Sequence, residues 1–500
     1  MSVQLPEWAD VVVVGVGTAG AVVAGRLAER GDRDVLALEA GPDYGPREAG
    51  RWPVELLDSR RLPETHDWGY AGASTSGDLL TFSRARVVGG CSSHNGCSQS
   101  IGWRGDYDRW SRSGLTGWSA EDLTPLLHAA VERMQVNTPA AADVQPLQRA
   151  VLDAAVAAGV PAIDDLLSFD GEISVSQCPV NVVDNSRWNA SFGYLDPVRT
   201  SGRLQVIGDV VVVRVAIKDG HAVGVDVLVD GAEHRIGADL VVLSAGVYGT
   251  VEVLQRSGVG PAAELARLGV NVQIDAPGVG ANLHDHPVAT LEFEASESLA
   301  AELAAFAADR PLAEEGAIAK LRSSVADGPY DLHVFPWIEP LVGSATGWKC
   351  VFPVGLLTPL SRGRVRLSSA DPTVRASVDH AYLDEPQDVQ AISDGLREVR
   401  EWLTQPELSR MLAAAVSVPG AYDDVTLHAW IRRIQSHYWH PAGTAAMGAA
   451  ETGGVTDGDG RVHGIDGLVV ADASIFPELP RATPALPVVV AGERIARTIA

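Results

Sequence analysis

Asp10-Val11-Val12-Val13-Val14-Gly15-Val16-Gly17-Thr18-Ala19-Gly20 reads as a strand, a tight turn and the start of a helix. The valine run is a short apolar segment of buried-strand type. Gly15, Gly17 and Gly20 follow at the spacing of a dinucleotide loop. Ala19 to Arg30 keeps helix-like apolar spacing and ends near Gly31. A second strand, Val35 to Leu38, leads into Glu39-Ala40, about 20 residues past the glycines. Each part has a physical task. Gly15 permits the turn, Gly17 lets the backbone approach a pyrophosphate, and Gly20 lets helix and strand pack closely. The helix N-terminus, from Thr18 and Ala19, offers unpaired N–H groups and a positive dipole end to phosphates. Glu39 can accept hydrogen bonds from a ribose.

Outward from that unit, 500 residues suggest two or three domains, and 46% apolar residues supply a large core. The formal charge of −25 excludes the basic stripe that nucleic acid or an anionic membrane requires. Four cysteines in a chain this long do not make a disulfide framework, and no spacing fits a metal site. No basic, apolar leader opens the chain, and no apolar run reaches the roughly 18 residues needed to span a bilayer. The expectation is a cytoplasmic protein.

Strand and helix patterns alternate in the first third, as in an α/β domain. Strand-like runs recur at 204–217, 222–229 and 239–244. Alanine-rich stretches at 139–158 and 299–319 both read as helical. From about 290 to 435 the Gly-rich loops stop and separated strand candidates appear at 332–337, 350–357 and 363–367. That shift predicts an inserted second domain, with the chain returning to the first near 464–475.

A second signature follows the first loop by about 70 residues: Arg86-Val87-Val88-Gly89-Gly90-Cys91-Ser92-Ser93-His94-Asn95. Three more blocks come later. They are Ser244-Ala245-Gly246 running to Gly260-Pro261, Pro277-Gly278 running to Asp285-His286-Pro287, and Trp439-His440-Pro441 running to Met447-Gly448 with Asp472-Ala473-Ser474. In this order, over essentially the whole chain, the five blocks resemble the glucose–methanol–choline (GMC) flavoprotein oxidoreductases.

The resemblance implies an α/β fold of GMC type. A Rossmann-like FAD-binding domain would occupy 1–160, 201–289 and 436–500. An inserted α+β substrate domain with an antiparallel sheet would take 161–200 and 290–435. It implies FAD, a small-molecule alcohol as substrate, and O2 or another electron acceptor. His94 matches the position at which a histidine-linked member carries its flavin, so a covalent link is expected. Matched cofactor positions are Gly15, Gly17, Thr18, Ala19, Gly20, Glu39, Ala40, Arg86, Gly89, Gly90, Ser92, His94, Asn95, Gly96, Cys97, Val212, Ala245, Gly246, Asp472, Ala473 and Pro484.

His440 matches the family's catalytic histidine. The chemistry needs such a group, because hydride leaves an alcohol carbon readily only as the oxygen loses its proton. Thr483 falls where relatives carry Asn or His; it is too short to act as a base. Gly96 replaces a serine, and Tyr438 a small aliphatic residue, of the histidine-linked member. His333, Phe335 and Trp337 alternate on an expected strand and so would share a face, giving His333, Trp337 and Tyr438 as substrate-pocket candidates. No cluster of aromatics with an acid stands out for a quaternary ammonium. A helix after Pro484 and Pro487 would aim its N-terminus at the flavin. Two other readings stay open: an FAD-containing hydroxynitrile lyase, and a nicotinamide dehydrogenase using the first loop alone.

Overall fold

The computed structural model describes residues 5–310 and 312–499. The opening stretch forms the strand Trp8–Val14 and the helix Thr18–Arg30, which stops at Gly31 in a left-handed conformation. Val11 to Val14 are almost wholly buried. They sit at the centre of a seven-stranded sheet. Trp8–Val14 pairs in parallel with Val35–Leu38 on one side and with Ala232–Leu243 on the other. Leu204–Ile207 extends the first side. On the second side Ala232–Leu243 divides its free edge. Its first half meets His221–Val229 antiparallel, and its last three residues meet Leu468–Val470 in parallel. Val211–Lys218 closes that wing.

Gly20 explains the close helix packing. A Cβ there would meet the Gly15 carbonyl oxygen at 2.0 Å. The last helix, Ala485–Thr498, packs on the first, and its buried Glu493 takes Arg26 Nη2 at 2.6 Å and the Tyr194 hydroxyl at 2.9 Å. The two ends of the chain therefore brace one domain.

A second sheet of eight strands is antiparallel in every pair. It gathers Ser174–Gln177, Pro287–Ala295, Ala317–Leu321, Leu332–Val334, Trp337–Pro340, Trp348–Leu356, Leu412–Ser417 and Ser436–His437. Helix Pro386–Leu403 covers it with an amphipathic face, burying Val389, Ile392, Leu396, Val399 and Trp402.

Two readings of the sequence need correction. The 299–319 stretch is not one helix: it is helical only over Glu297–Ala307, and from Ala317 it is a strand. The 332–337 strand breaks after Val334, so His333 and Trp337 lie on different strands. Pro336 has no N–H for a sheet ladder, and the pairing resumes beyond it. Among the described residues, no helix is long and apolar enough to cross a membrane.

Candidate active site

The carboxyl ends of four parallel strands meet in one place. Val14-Gly15, Leu38-Glu39, Leu243-Ser244 and Val470-Ala471 open onto a cavity of about 500 Å³, where a doubly wound sheet binds its ligand. Gly15, Gly17, Thr18, Ala19, Glu39, Ala40, Ala245, Gly246, Asp472 and Ala473 line it. So do Gly90, Ser92, His94, Asn95, Gly96, Cys97, Val212, Thr483 and Pro484.

The two glycine signatures touch. Gly89 N–H donates to the Val16 carbonyl at 2.7 Å, and Ser92 N–H to Thr18 Oγ1 at 3.2 Å. Gly90 has φ 53°, and a Cβ on it would meet Gly17 Cα at 2.5 Å. No side chain caps the helix that starts at Thr18. Its first N–H groups are thus available to an anion. Glu39 is buried, with Oε2 accepting from Val16 N–H at 2.9 Å and Oε1 from Gly41 N–H at 3.0 Å. Each oxygen keeps a lone pair for a ribose hydroxyl. Asp472 accepts from Gly246 N–H, the Thr250 hydroxyl and Ser474 N–H, which ties two helix starts to the end of the last strand. These residues suit a dinucleotide.

Three expected positions lie outside the lining. Arg86 donates to the Ala40 carbonyl at 3.0 Å and lies over Trp68, two residues that themselves line the cavity. Gly20 serves helix packing and Gly89 the loop contact. Arg84, which the sequence reading passed over, enters instead. Its Nη2 donates to the Trp439 carbonyl at 2.8 Å, and the Asp285 charge acts on it.

The other end of the cavity belongs to the antiparallel sheet. Two distant segments pair there: Pro287 opposes His437, Tyr438 N–H donates to the His286 carbonyl, and Ala442 N–H to the His284 carbonyl. Between them Trp439 takes φ 59°, uncommon for so bulky a residue. This break in the ladder comes just before His440. His440 Nδ1 lies 3.0 Å from His286 Nδ1, and its N–H donates to Asp285 Oδ1 at 2.8 Å. Asp285 also takes His286 N–H at 2.7 Å and the Tyr382 hydroxyl at 2.9 Å. Burial raises its pKa to about 6.

Burial also lowers His286 to about 3 and carries His440 well below the usual imidazole value, with the neighbouring His286 and Arg84 charges adding to the His440 shift. Both rings are therefore neutral near pH 7. Thr483 is buried. Its Oγ1 is 3.2 Å from Ser100 Oγ and 3.4 Å from the Ser98 carbonyl, and its N–H donates to Ser100 Oγ. His94 Nε2 is 2.8 Å from the Thr65 carbonyl, and burial lowers the ring's pKa.

Tyr438 and Trp337 line this end, together with Phe335. His333 does not; it stacks on Tyr330 behind Phe335. Glu314, Glu315 and Glu339 also line the cavity, so an acid does accompany the aromatics, contrary to the sequence reading.

With this geometry in view, similarity to known proteins becomes specific. GMC oxidoreductase family models match residues 9–288 and 359–492. The chain is 33% identical to choline oxidase of Arthrobacter globiformis, over 98% of this chain and 94% of that one. It is 31% identical to oxygen-dependent choline dehydrogenase of Ectopseudomonas mendocina, over 94% and 90%. Pyridoxine 4-oxidase from Mesorbium loti superimposes with a TM-score of 0.86 at 26% identity, covering 98% of each chain. Dinucleotide cradle, antiparallel sheet and sequence matches agree: the chain belongs to the GMC oxidoreductases, a family of FAD-binding enzymes.

Proposed function

We propose that this protein oxidises an alcohol to an aldehyde or ketone, with FAD held through His94 and His440 as the base. The observation that carries the reading is the neutral His440–His286 pair at the substrate end of a dinucleotide cavity. Bound FAD would supply the hydride acceptor at its N5. The protein's part is the proton. Only one proton can lie between the two Nδ1 atoms. With His440 Nδ1–H donating to His286 Nδ1, His440 Nε2 keeps its lone pair for the substrate hydroxyl. His286 is then a positioning residue that fixes the tautomer. Asp285 holds the His440 backbone.

Thr483 has a lesser part. Ser100 Oγ already accepts the Thr483 N–H, so the Ser100 hydroxyl can donate to Thr483 Oγ1. The Thr483 hydroxyl can turn from the Ser98 carbonyl toward a substrate oxygen. The covalent reading is supported by His94 lining the cavity as a neutral imidazole, with one nitrogen engaged by Thr65. Among the described residues, its other nitrogen has no hydrogen-bond partner. Relatives named choline oxidase, oxygen-dependent choline dehydrogenase and pyridoxine 4-oxidase support an alcohol donor, with reoxidation by oxygen or another acceptor.

The test is an anaerobic screen of alcohols against the yellow protein. Bleaching followed by return of colour in air is expected for an oxidase. Bleaching that persists in air and reverses with an artificial acceptor marks a dehydrogenase. A flavin that no alcohol bleaches refutes the proposal.

A further inference from the structure

Two residues before Thr483, Arg481 is wholly buried. Its guanidinium reaches two carboxylates from different parts of the chain. Nη1 donates to Asp106 on helix Arg104–Arg112. Nη2 donates to Asp327, in the loop between strands Ala317–Leu321 and Leu332–Val334. The backbone of Arg481 is held as well. Its N–H donates to Asp106 Oδ2 at 3.0 Å, and the Tyr330 hydroxyl donates to its carbonyl at 2.8 Å. The guanidinium carbon lies over the Trp103 ring, 5.0 Å from its centroid. Arg109, a partly exposed side chain, bridges the same two acids nearer the surface, at 3.0 and 3.1 Å.

Room for this contact set is built into the backbone. A Cβ on Gly328 would meet Arg481 Nη2 at 2.9 Å, and one on Gly102, at φ 92°, would meet the Arg481 carbonyl at 3.2 Å. Burying a guanidinium costs desolvation that an apolar side chain of similar volume avoids, so such a pair is a poor device for stability alone. What it gives is direction. A planar fork with fixed donors sets where its own backbone lies. That backbone leads into the cavity. Thr483 N–H donates to Ser100 Oγ at 3.0 Å, so the 481–483 stretch is tied to residues 100–106 at both ends. Thr483 and Pro484 line the cavity, whereas Arg481 does not.

We propose that Arg481 is a positioning residue, whose two carboxylate partners fix the 481–483 stretch and so set where the Thr483 hydroxyl stands in the cavity. This rests on the alcohol-oxidation reading above for the part that hydroxyl plays, and it names the group that aims it. Arg481 touches no cavity space, so its effect on the reaction passes through Thr483. That effect cannot exceed what the Thr483 hydroxyl itself contributes.

The test uses the FAD-loaded protein at pH 8, above the Asp106 pKa, which burial raises to about 6. Arg481→Lys keeps the charge and loses the fork. Asp327→Asn changes an acid whose side chain is 58% exposed, and so keeps the test open if the Arg481 variant does not fold. Hydrogen exchange at the amides of Ala482, Thr483, Ala485 and Leu486 reads position without turnover. Both variants should speed it on the order of 10-fold, the scale of one charge-assisted hydrogen bond, while amides of the parallel sheet keep theirs. The kcat/KM of anaerobic flavin bleaching reads the consequence. Each variant should lose up to about 5-fold, the loss expected for Thr483→Val. In a Thr483→Val background the further loss should shrink to within about 1.5-fold, because the two act as one unit. A role in stability alone would leave the losses additive.

Unchanged exchange in the folded variants overturns the proposal. So does a kcat/KM loss that adds in full to that of Thr483→Val, or faster exchange with kcat/KM untouched in a protein that turns over. Faster exchange in a protein that no alcohol bleaches would uphold the positioning and refute the oxidation. Bleaching with exchange and rate both indifferent to the variants would do the reverse.

Discussion

Replacing Thr483 by valine removes one hydroxyl and keeps the side-chain shape. The magnitude follows from its contacts. Thr483 Oγ1 sits 3.2 Å from Ser100 Oγ and 3.4 Å from the Ser98 carbonyl, and the residue is buried. The longer contact is weak, so turning that proton toward a substrate oxygen costs little. The net contribution is about one neutral hydrogen bond, roughly 1 kcal/mol. That corresponds to about a 5-fold loss in kcat/KM. Stability should fall by a similar amount, because the Ser100 hydroxyl loses its acceptor. Stopped-flow reduction under anaerobic conditions gives the first quantity and a thermal melt the second. The acid limb of the kcat/KM profile should stay in place, because the proposal assigns that limb to His440. A loss as deep as that of a His440 variant would refute the reasoning, since Thr483 would then have a direct role in proton transfer.

Other outcomes follow from the same geometry. His440→Ala should slow anaerobic flavin reduction by roughly 100-fold or more while FAD content holds, as measured by stopped flow and the flavin-to-protein absorbance ratio. In the parent protein the base must be neutral, and the His440 pKa is lowered by burial and by neighbouring cationic groups. Activity should therefore rise with pH through a value below the ordinary imidazole 6.5 and stay level above it; a rise centred above 6.5 would contradict the assignment. Acid-precipitated protein should remain yellow, with the flavin mass on a His94 peptide; complete release of FAD into the supernatant would exclude the link. Gly90→Ala adds a Cβ 2.5 Å from Gly17 Cα at a φ of 53°, so it should lower both FAD content and melting temperature. An unchanged absorbance ratio would mean that the two loops can separate without harm.

What could be read from the sequence, and what could not, divides along a physical line. The first loop is legible because its determinants are local. A valine run, three glycines and an apolar helix are short-range patterns, and strand, turn and helix appear as Trp8–Val14, Gly15 and Thr18–Arg30. The carboxylate end of the cavity is not local. Glu314 and Glu315 sit in an alanine-rich stretch whose composition reads as helix, and only Pro311 and Gly316 in the sequence hint at a break. Their meaning depends on Gly96, some 220 residues away, leaving space for a side chain. Arg84 and Arg86 make the same point. Arg86 opens the second signature and Arg84 stands two residues before it, and nothing in the alternation decides between them. The Ala40 carbonyl and the Trp68 ring take up Arg86, while Arg84 reaches the Trp439 carbonyl and lines the cavity.

In the proposed reaction the histidine pair ties function to this non-local part. His286 and His440 are 154 positions apart, and neither sequence context contains the other. Pairing of Pro287 with His437 brings the two segments together, and the left-handed turn at Trp439 ends that pairing just before His440. A neutral base needs a dry site, a fixed tautomer and a free nitrogen. Burial supplies the first, His286 the second, and the cavity the third. Substituting His286 should therefore act through His440. Turnover should fall and the acid limb should move, while KM changes little. If KM rose with kcat untouched, His286 would be shaping the substrate pocket rather than holding the base.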